Sequence, residues 1–560
     1  MRRRLAVMLL GGLTAGCQDS VKPSRPEGGL DQITVAYLCG NRFELRNPDS
    51  ADKLVHYAVL GTAETGDFFL PAGTSTAPSL TRLTAVSRGP LQISSSDGST
   101  EPVENGATAC PSPALQQPQS ESGEWSPPFP WPVVAVHLHL LPSGRVLSWG
   151  RIGAPQLYNP ADESFIEVPS ATMVFCSGHT FLADGRLLVS GGHLNDRRGL
   201  RDANFFDPGS QSWLPVSAMS FARWYPTTTA LADGQVITLA GTDQSAEQVE
   251  IPEIWSGGSW RQLAGAARAL PYYPRTFVAP NGVLFYAGEL QQSAFLNPAG
   301  SGRWTSGPSS NYGRRDYGSA VMYQPGKVMI LGGSDPPDGA PTNTAELIDL
   351  NQAQPGWRYT ESMKYPRRQF NATLLPDGQV LATGGTSAPG FSDPAGAVHA
   401  AELWSPVTEQ WRVLASNRTT RVYHSTTLLL PDGRVLHAGS GDGPGLPREL
   451  NAEIFSPPYL FWGPRPLLQA APGEAGLGET FLVNSPDVLK VVRVTLVRLG
   501  SVTHAFDQSQ RFVELSFRRV AEGLSVQAPV NGAMAPPGPY LLTLLDDAGV
   551  PSTSAIILIH

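Results

Sequence analysis

RVYHSTTLLLPDGRVLHAGSG, residues 421–441, places Tyr423 and His424 directly ahead of a tight turn on Gly433 and a short apolar strand. The second half of this stretch is one copy of a repeat. LPSGRVLSWG, LADGRLLVSGG, LADGQVITLAG, APNGVLFYAG, YQPGKVMILGG, LPDGQVLATGG and LPDGRVLHAGS share a glycine turn, an apolar strand and small residues after it. Their turn glycines, Gly144, Gly185, Gly234, Gly282, Gly326, Gly378 and Gly433, are separated by 41, 49, 48, 44, 52 and 55 residues. That is the length of one four-stranded blade with allowance for its loops. Seven copies predict a seven-bladed β-propeller over residues 133–460.

The flanks follow from the same reading. After AEIFSPPYLFWGPRP the repeat stops, and KVVRVTLVRLG, RFVELSF, GPYLLTLLDD and SAIILIH alternate as strands do. Residues 461–560 are therefore expected to form an immunoglobulin-like sandwich, with His504 on a loop in SVTHAFDQSQ. Upstream, alternation in ITVAYLCGNRFELRNPDSADKLVHYAVLGT predicts a small β-sandwich over 30–110, and the Ser/Pro-rich stretch 111–132 reads as a linker. The whole chain is expected to be all-β: 58 Gly, 51 Pro and only 16% charged residues suit a turn-rich protein.

Residues 1–17 carry a basic head, an apolar run too short to span a bilayer and small residues before Cys17. This is the form of a lipoprotein-type signal, with Cys17 as the acylation site, or of plain secretion; either way the mature chain is exported. Four cysteines exist. With Cys17 lipidated and Cys39 paired to Cys110, which an oxidising compartment permits, Cys176 is left over. It is either a small buried apolar residue or a thiol committed to chemistry. A net charge of −8 without a Lys/Arg stripe excludes nucleic acid as a partner and leaves small molecules or carbohydrate.

Four motifs carry reactive side chains: FCSGHTFLADG with Cys176, ARWYPTTTALADG with Tyr225, RVYHSTTLLLPDG with Tyr423 and His424, and SVTHAFDQSQR with His504. Cys176 and Tyr225 lie nine residues, and Tyr423 ten, ahead of their turn glycines. Matched offsets in different blades mean matched heights, so these three are expected on one face near the axis. His137, His139, His179, His193, His399 and His437 are assigned structural roles, as are Trp213, Trp255, Trp357, Trp404 and Trp411, which suit blade packing.

From Pro132 to His560 these motifs resemble the radical copper oxidases of the galactose oxidase and glyoxal oxidase family, built on a kelch-type propeller. The resemblance implies one copper ion held by Tyr225, Tyr423, His424 and His504. It implies a thioether joining Cys176 to the ring of Tyr225 as the seat of a radical, with Tyr423 as proton acceptor. Arg275, in YYPRTFVAP, matches a substrate-contacting arginine. Imidazole nitrogen with phenolate oxygen suits Cu(II), and an oxidisable ligand supplies the second electron that copper alone lacks.

The family pattern is broken at one place. In galactose oxidases a tryptophan eighteen residues after the modified tyrosine stacks on the thioether, and here that position is Asp243. Together with the absence of a recognisable carbohydrate-binding module, this points to small aldehydes or primary alcohols as substrates, with O2 reduced to H2O2 by a monomeric enzyme. The competing expectation is a non-catalytic propeller that binds glycan or protein. Losing any of the four metal residues would favour it, and all four are present.

Overall fold

The computed structural model describes residues 33–74, 78–95, 98–106, 118–443 and 445–560. The expected acylation at Cys17 and the bridge from Cys39 to Cys110 lie outside the described residues. Seven antiparallel sheets of short strands form the propeller, and the innermost strands are His137–Leu140, Gly178–Phe181, Thr227–Ala230, Arg275–Val278, Ser319–Gln324, Arg368–Leu374 and Ser425–Leu429. The repeat motif is the hairpin between each innermost strand and its neighbour. In four blades the aspartate before the glycine accepts a hydrogen bond from the backbone N–H two residues on: Asp184 from Arg186, Asp233 from Gln235, Asp377 from Gln379 and Asp432 from Arg434. The glycine then takes the left-handed conformation, φ 84° at Gly433, which costs it nothing.

The stretch expected as a linker departs from that reading over residues 118–132. Glu124–Trp125 forms the outermost strand of blade seven by pairing with Phe455 and Ser456, and Phe129–Pro130 pairs with the same strand further along. Trp125 is buried, and its indole N–H donates to the Ala415 carbonyl at 2.8 Å. Chain from before the first blade thus closes the ring. Proline and serine are abundant here, but two tryptophans, Trp125 and Trp131, supply the apolar surface that holds it.

The upstream sandwich stacks a three-stranded sheet on a four-stranded one around Phe43, Leu45, Tyr57, Phe68 and Ile93. It meets the terminal sandwich through Arg519, which donates to Tyr57 Oη at 2.7 Å and to the Val491 carbonyl at 2.8 Å. That terminal sandwich has its own core around Val494, Leu496, Leu524, Leu542 and Ile557. It sends a hairpin into the propeller: Ser501–Thr503 pairs antiparallel with His137–His139, the innermost strand of blade one. Gln508 then accepts from the backbone of His179 and Thr228, and Gln510 is bonded to Ala320 and Met322. The hairpin is therefore fixed to the inner strands of blades one, two, three and five.

Four blades share a buried ion pair: Arg223–Glu253 at 3.0 Å, Arg315–Glu346 at 2.8 Å, Arg367–Glu402 at 2.7 Å and Arg421–Glu453 at 3.3 Å. Each arginine stands two residues ahead of an axial side chain, Tyr225, Tyr317, Gln369 or Tyr423. Arg421 also donates to the carbonyls of Gly439 and Asn451, while Glu453 accepts from the backbone of Arg418 and Thr419. The pair ties the loop that enters the innermost strand to the third strand. Removing one partner strands the other charge in the interior, so Arg421→Met is expected to destabilise by roughly 3–5 kcal/mol, and adding Glu453→Leu should return much of that loss. Urea denaturation of the two variants measures it.

Candidate metal centre

Counting back nine residues from each turn glycine of blades two to seven gives Cys176, Tyr225, Tyr273, Tyr317, Gln369 and His424. All six have positive φ: 63°, 64°, 45°, 50°, 55° and 67°. A left-handed residue with a Cβ costs about 1–2 kcal/mol. The bend it makes is what aims side chains at the axis instead of into the blades. In blade seven the bend lets neighbours Tyr423 and His424 face the same place, with ring centres 3.7 Å apart. His504 arrives from the terminal hairpin, also bent, with φ 45°.

These side chains meet. Tyr225 Oη lies 2.6 Å from Tyr423 Oη and 2.8 Å from His504 Nε2, and the rings of His424 and His504 are 4.8 Å apart at 87°. His424 Nδ1 donates to the Gly441 carbonyl at 2.7 Å, which leaves Nε2 as an acceptor. That Nε2 is buried and has no hydrogen-bond partner among the described residues. His504 Nδ1 is occupied by Thr503 Oγ1 at 2.6 Å. Two phenol oxygens and two imidazole nitrogens with their outer nitrogens anchored are a fitting donor set for Cu(II).

The electrostatics suit a site for a cation. Burial lowers His424 to about 3 and holds His504 well below the ordinary 6.5, so both are neutral, as ligands must be. Burial also raises Tyr225 and Tyr423 above the ordinary 10, in Tyr225 with repulsion from Tyr423 added. A cation among the four would reverse that balance and favour the phenolates.

Cys176 is fully buried in one cluster with Phe175, Tyr225 and Tyr273, and the Tyr225 N–H donates to the Cys176 carbonyl at 2.9 Å. The Cys176 N–H in turn donates to His137 Nε2 at 3.0 Å. His137 is bonded to His179 at 2.9 Å, and His179 and His139 both reach Ser501 Oγ. Three of the histidines assigned structural roles thus form a buried strut between Cys176 and the terminal hairpin.

Sequence reasoning missed three neighbours. Trp224 stacks flat on Tyr225, ring centres 3.6 Å apart at 9°, so an aromatic ring from the preceding residue covers Tyr225 although position 243 is an aspartate. Asp243 instead shapes a turn, its carboxylate accepting from Ser245 and Glu247. Tyr273 stacks on His504 at 4.6 Å and donates to the Ser177 carbonyl, while Tyr317 meets Tyr423 edge-on at 6.0 Å. The nine-residue offset, extended to every blade, would have found both tyrosines.

A cavity of about 420 Å3 opens over Tyr225 and His504, walled by Tyr272, Tyr317, Gln248 and Arg314. Arg275 lines it too, but its terminal nitrogens donate to the carbonyls of Tyr273 and Gly318, so its first task is to hold blades four and five together.

Asp507 anchors the His504 hairpin, accepting from the backbone of Ser501 and Ser509 at 2.9 Å each. Burial raises its carboxyl to about 6 from 3.8. The folded state therefore binds this proton more tightly than the unfolded chain, and the group's contribution is full below about pH 4 and lost as pH rises through about 6. Asp507→Asn, which keeps an acceptor but cannot ionise, should gain thermal stability relative to the parent as pH goes from 4 to 7. Melting curves at four pH values test the sign.

Similarity to known proteins converges on the same assignment. Residues 155–459 match the family model "Glyoxal oxidase N-terminus", and residues 465–559 match "Galactose oxidase-like, Early set domain". The chain is 30% identical over 437 residues to "Aldehyde oxidase GLOX" of Vitis pseudoreticulata, covering 68% of this chain and 81% of that one. It is 29% identical over 490 residues to "Galactose oxidase" of Gibberella zeae, covering 79% and 71%. In fold it resembles a fungal alcohol oxidase solved in complex with copper, with a TM-score of 0.71, 23% identity, and coverage of 78% of this chain and 99% of that one. With over half of its length matched by the first of those models, the chain belongs to the glyoxal oxidase family.

Proposed function

We propose that the protein is an exported copper radical oxidase that converts small aldehydes or primary alcohols to the next oxidation level and reduces O2 to H2O2. The observation that carries this is the convergence of Tyr225, Tyr423, His424 and His504 from blade three, blade seven and the terminal sandwich, with Cys176 against Tyr225. Bound copper would supply a Lewis-acid seat for the substrate oxygen and accept one electron.

The chain's own groups do the rest. His424 and His504 hold their nitrogens in place through Gly441 and Thr503. Tyr423 Oη, 2.6 Å from Tyr225 Oη, would take the hydroxyl proton of a primary alcohol or of a hydrated aldehyde. The sulfur-bridged Cys176–Tyr225 ring would take the hydrogen atom from the substrate carbon, and Trp224 shields that ring from water. Two electrons and two protons leave the substrate in all, and O2 carries them away as H2O2. The cavity, with Arg275 in its wall, is of a size for a small substrate.

The lipoprotein-type leader supports export with Cys17 as a lipid anchor, and an exported chain meets the oxidising conditions that a bridge from Cys39 to Cys110 needs. Mass spectrometry of copper- and oxygen-treated protein should find the Cys176 and Tyr225 peptides joined and two hydrogens lighter than their sum. An oxygen electrode should register uptake with methylglyoxal or a primary alcohol. Unlinked peptides together with no uptake across aldehydes, alcohols and sugars would leave the non-catalytic propeller as the reading.

A further inference from the structure

The shield over the radical ring is itself tethered. The Trp224 indole N–H donates to His193 Nδ1 at 3.1 Å, while the indole face lies 3.6 Å from the Tyr225 ring. His193 sits on a small hairpin, His193–Asn195 with Arg198–Gly199, inserted between the second and third strands of blade two. The imidazole is only 9% exposed; its backbone N–H is held by the Met173 carbonyl at 3.1 Å and its ring packs edge-on against Phe175 at 5.2 Å. Blade packing accounts for none of this, since the hairpin belongs to no blade sheet.

We infer that His193 is a positioning residue that, through Trp224, sets how easily the Cys176–Tyr225 ring is oxidised and makes that step dependent on pH. The inference rests on the radical-oxidase reading above. An N–H donating to neutral imidazole leaves the indole richer in electrons, and an electron-rich π-face stabilises the electron-poor ring stacked on it. A protonated His193 has no lone pair at Nδ1, so the Trp224 hydrogen bond is lost and a positive charge replaces it. Oxidation of the ring should then become harder. The groups facing His193 are Asp196, 3.8 Å from Nε2, and Arg151, which reaches Asp196 at 3.3 Å from blade one. Burial and Arg151 favour the neutral imidazole and Asp196 opposes them, so the tether is intact at neutral pH and opens on acidification.

In the redox step one electron leaves the bridged phenolate ring for an added one-electron oxidant such as ferricyanide, and no atom is transferred. The test titrates that step by visible absorption in full-length, copper-loaded protein between pH 5 and 8, after mass spectrometry has scored the thioether. In the parent, radical formation should weaken by about tenfold as pH falls from 8 to 5, or about 59 mV for a one-electron couple. His193→Leu, which removes the acceptor without adding a charge, should show one value at every pH, weaker than the parent's at pH 8 and stronger than the parent's at pH 5. His193→Gln, whose side-chain oxygen still accepts from the indole, should keep the strong value at every pH. A linked His193→Leu protein with the parent's midpoint and pH profile would overturn the inference alone, as would equal shifts in both variants. A parent without the thioether would overturn the radical-oxidase reading and this inference with it.

Discussion

Cys176→Ser protein is expected to fold, bind copper and lack oxidase activity. The substitution removes one atom's worth of sulfur from a site that is fully buried and packed with Phe175, Tyr225 and Tyr273. Serine fits that volume, and the backbone bonds from Tyr225 and to His137 are unchanged because they use main-chain atoms. What is lost is the bridge. Without sulfur on its ring, Tyr225 is an ordinary buried phenol, held protonated by its surroundings and hard to oxidise. Oxygen uptake with methylglyoxal should fall by at least about 10³-fold, equivalent to about 4 kcal/mol of barrier. The intense visible and near-infrared absorption of the oxidised parent should be missing, and the peptides that carry position 176 and Tyr225 should appear separately. Retained activity with separate peptides would refute the radical assignment while leaving the fold untouched.

Tyr423→Phe separates proton transfer from radical chemistry. The phenol of Tyr423 touches Tyr225 Oη at 2.6 Å, but its ring is held by Phe391 at 4.7 Å and His424 at 3.7 Å, so phenylalanine should occupy the same place. Loss of a positioned base costs roughly 10²–10⁴ in turnover. The thioether should still form, because Cys176 and Tyr225 are untouched, and mass spectrometry scores it directly. A bridged protein that holds as much copper as the parent and has turnover reduced in this range supports Tyr423 as the base. Full turnover would assign the proton to another group, for which Tyr317, edge-on to Tyr423 and lining the cavity, is a candidate.

Much of this was readable in one dimension because the repeat is set by short-range chemistry. The turn aspartates bond two residues along, and the glycine after each relieves a backbone conformation that other residues resist. Such rules survive in the sequence, and they fixed the number of blades and the heights of Cys176, Tyr225 and Tyr423. The linker assignment failed at residues 118–132 for the opposite reason. Pairing of Trp125 with Phe455 joins positions 330 residues apart, and no local signal announces a partner at that range.

The chain alone determined a seven-bladed wheel, a terminal sandwich, and five side chains that the family resemblance assigns to one centre. Only the tertiary structure decided that Trp224 lies flat on the Tyr225 ring, that Tyr273 and Tyr317 join the cavity wall, and that the Arg275 guanidinium donates to backbone carbonyls. Those outcomes depend on positive-φ bends around one axis and on a hairpin delivered from another domain. Which faces meet at an axis is settled by packing between blades, and that information is spread over hundreds of residues instead of residing in any one motif.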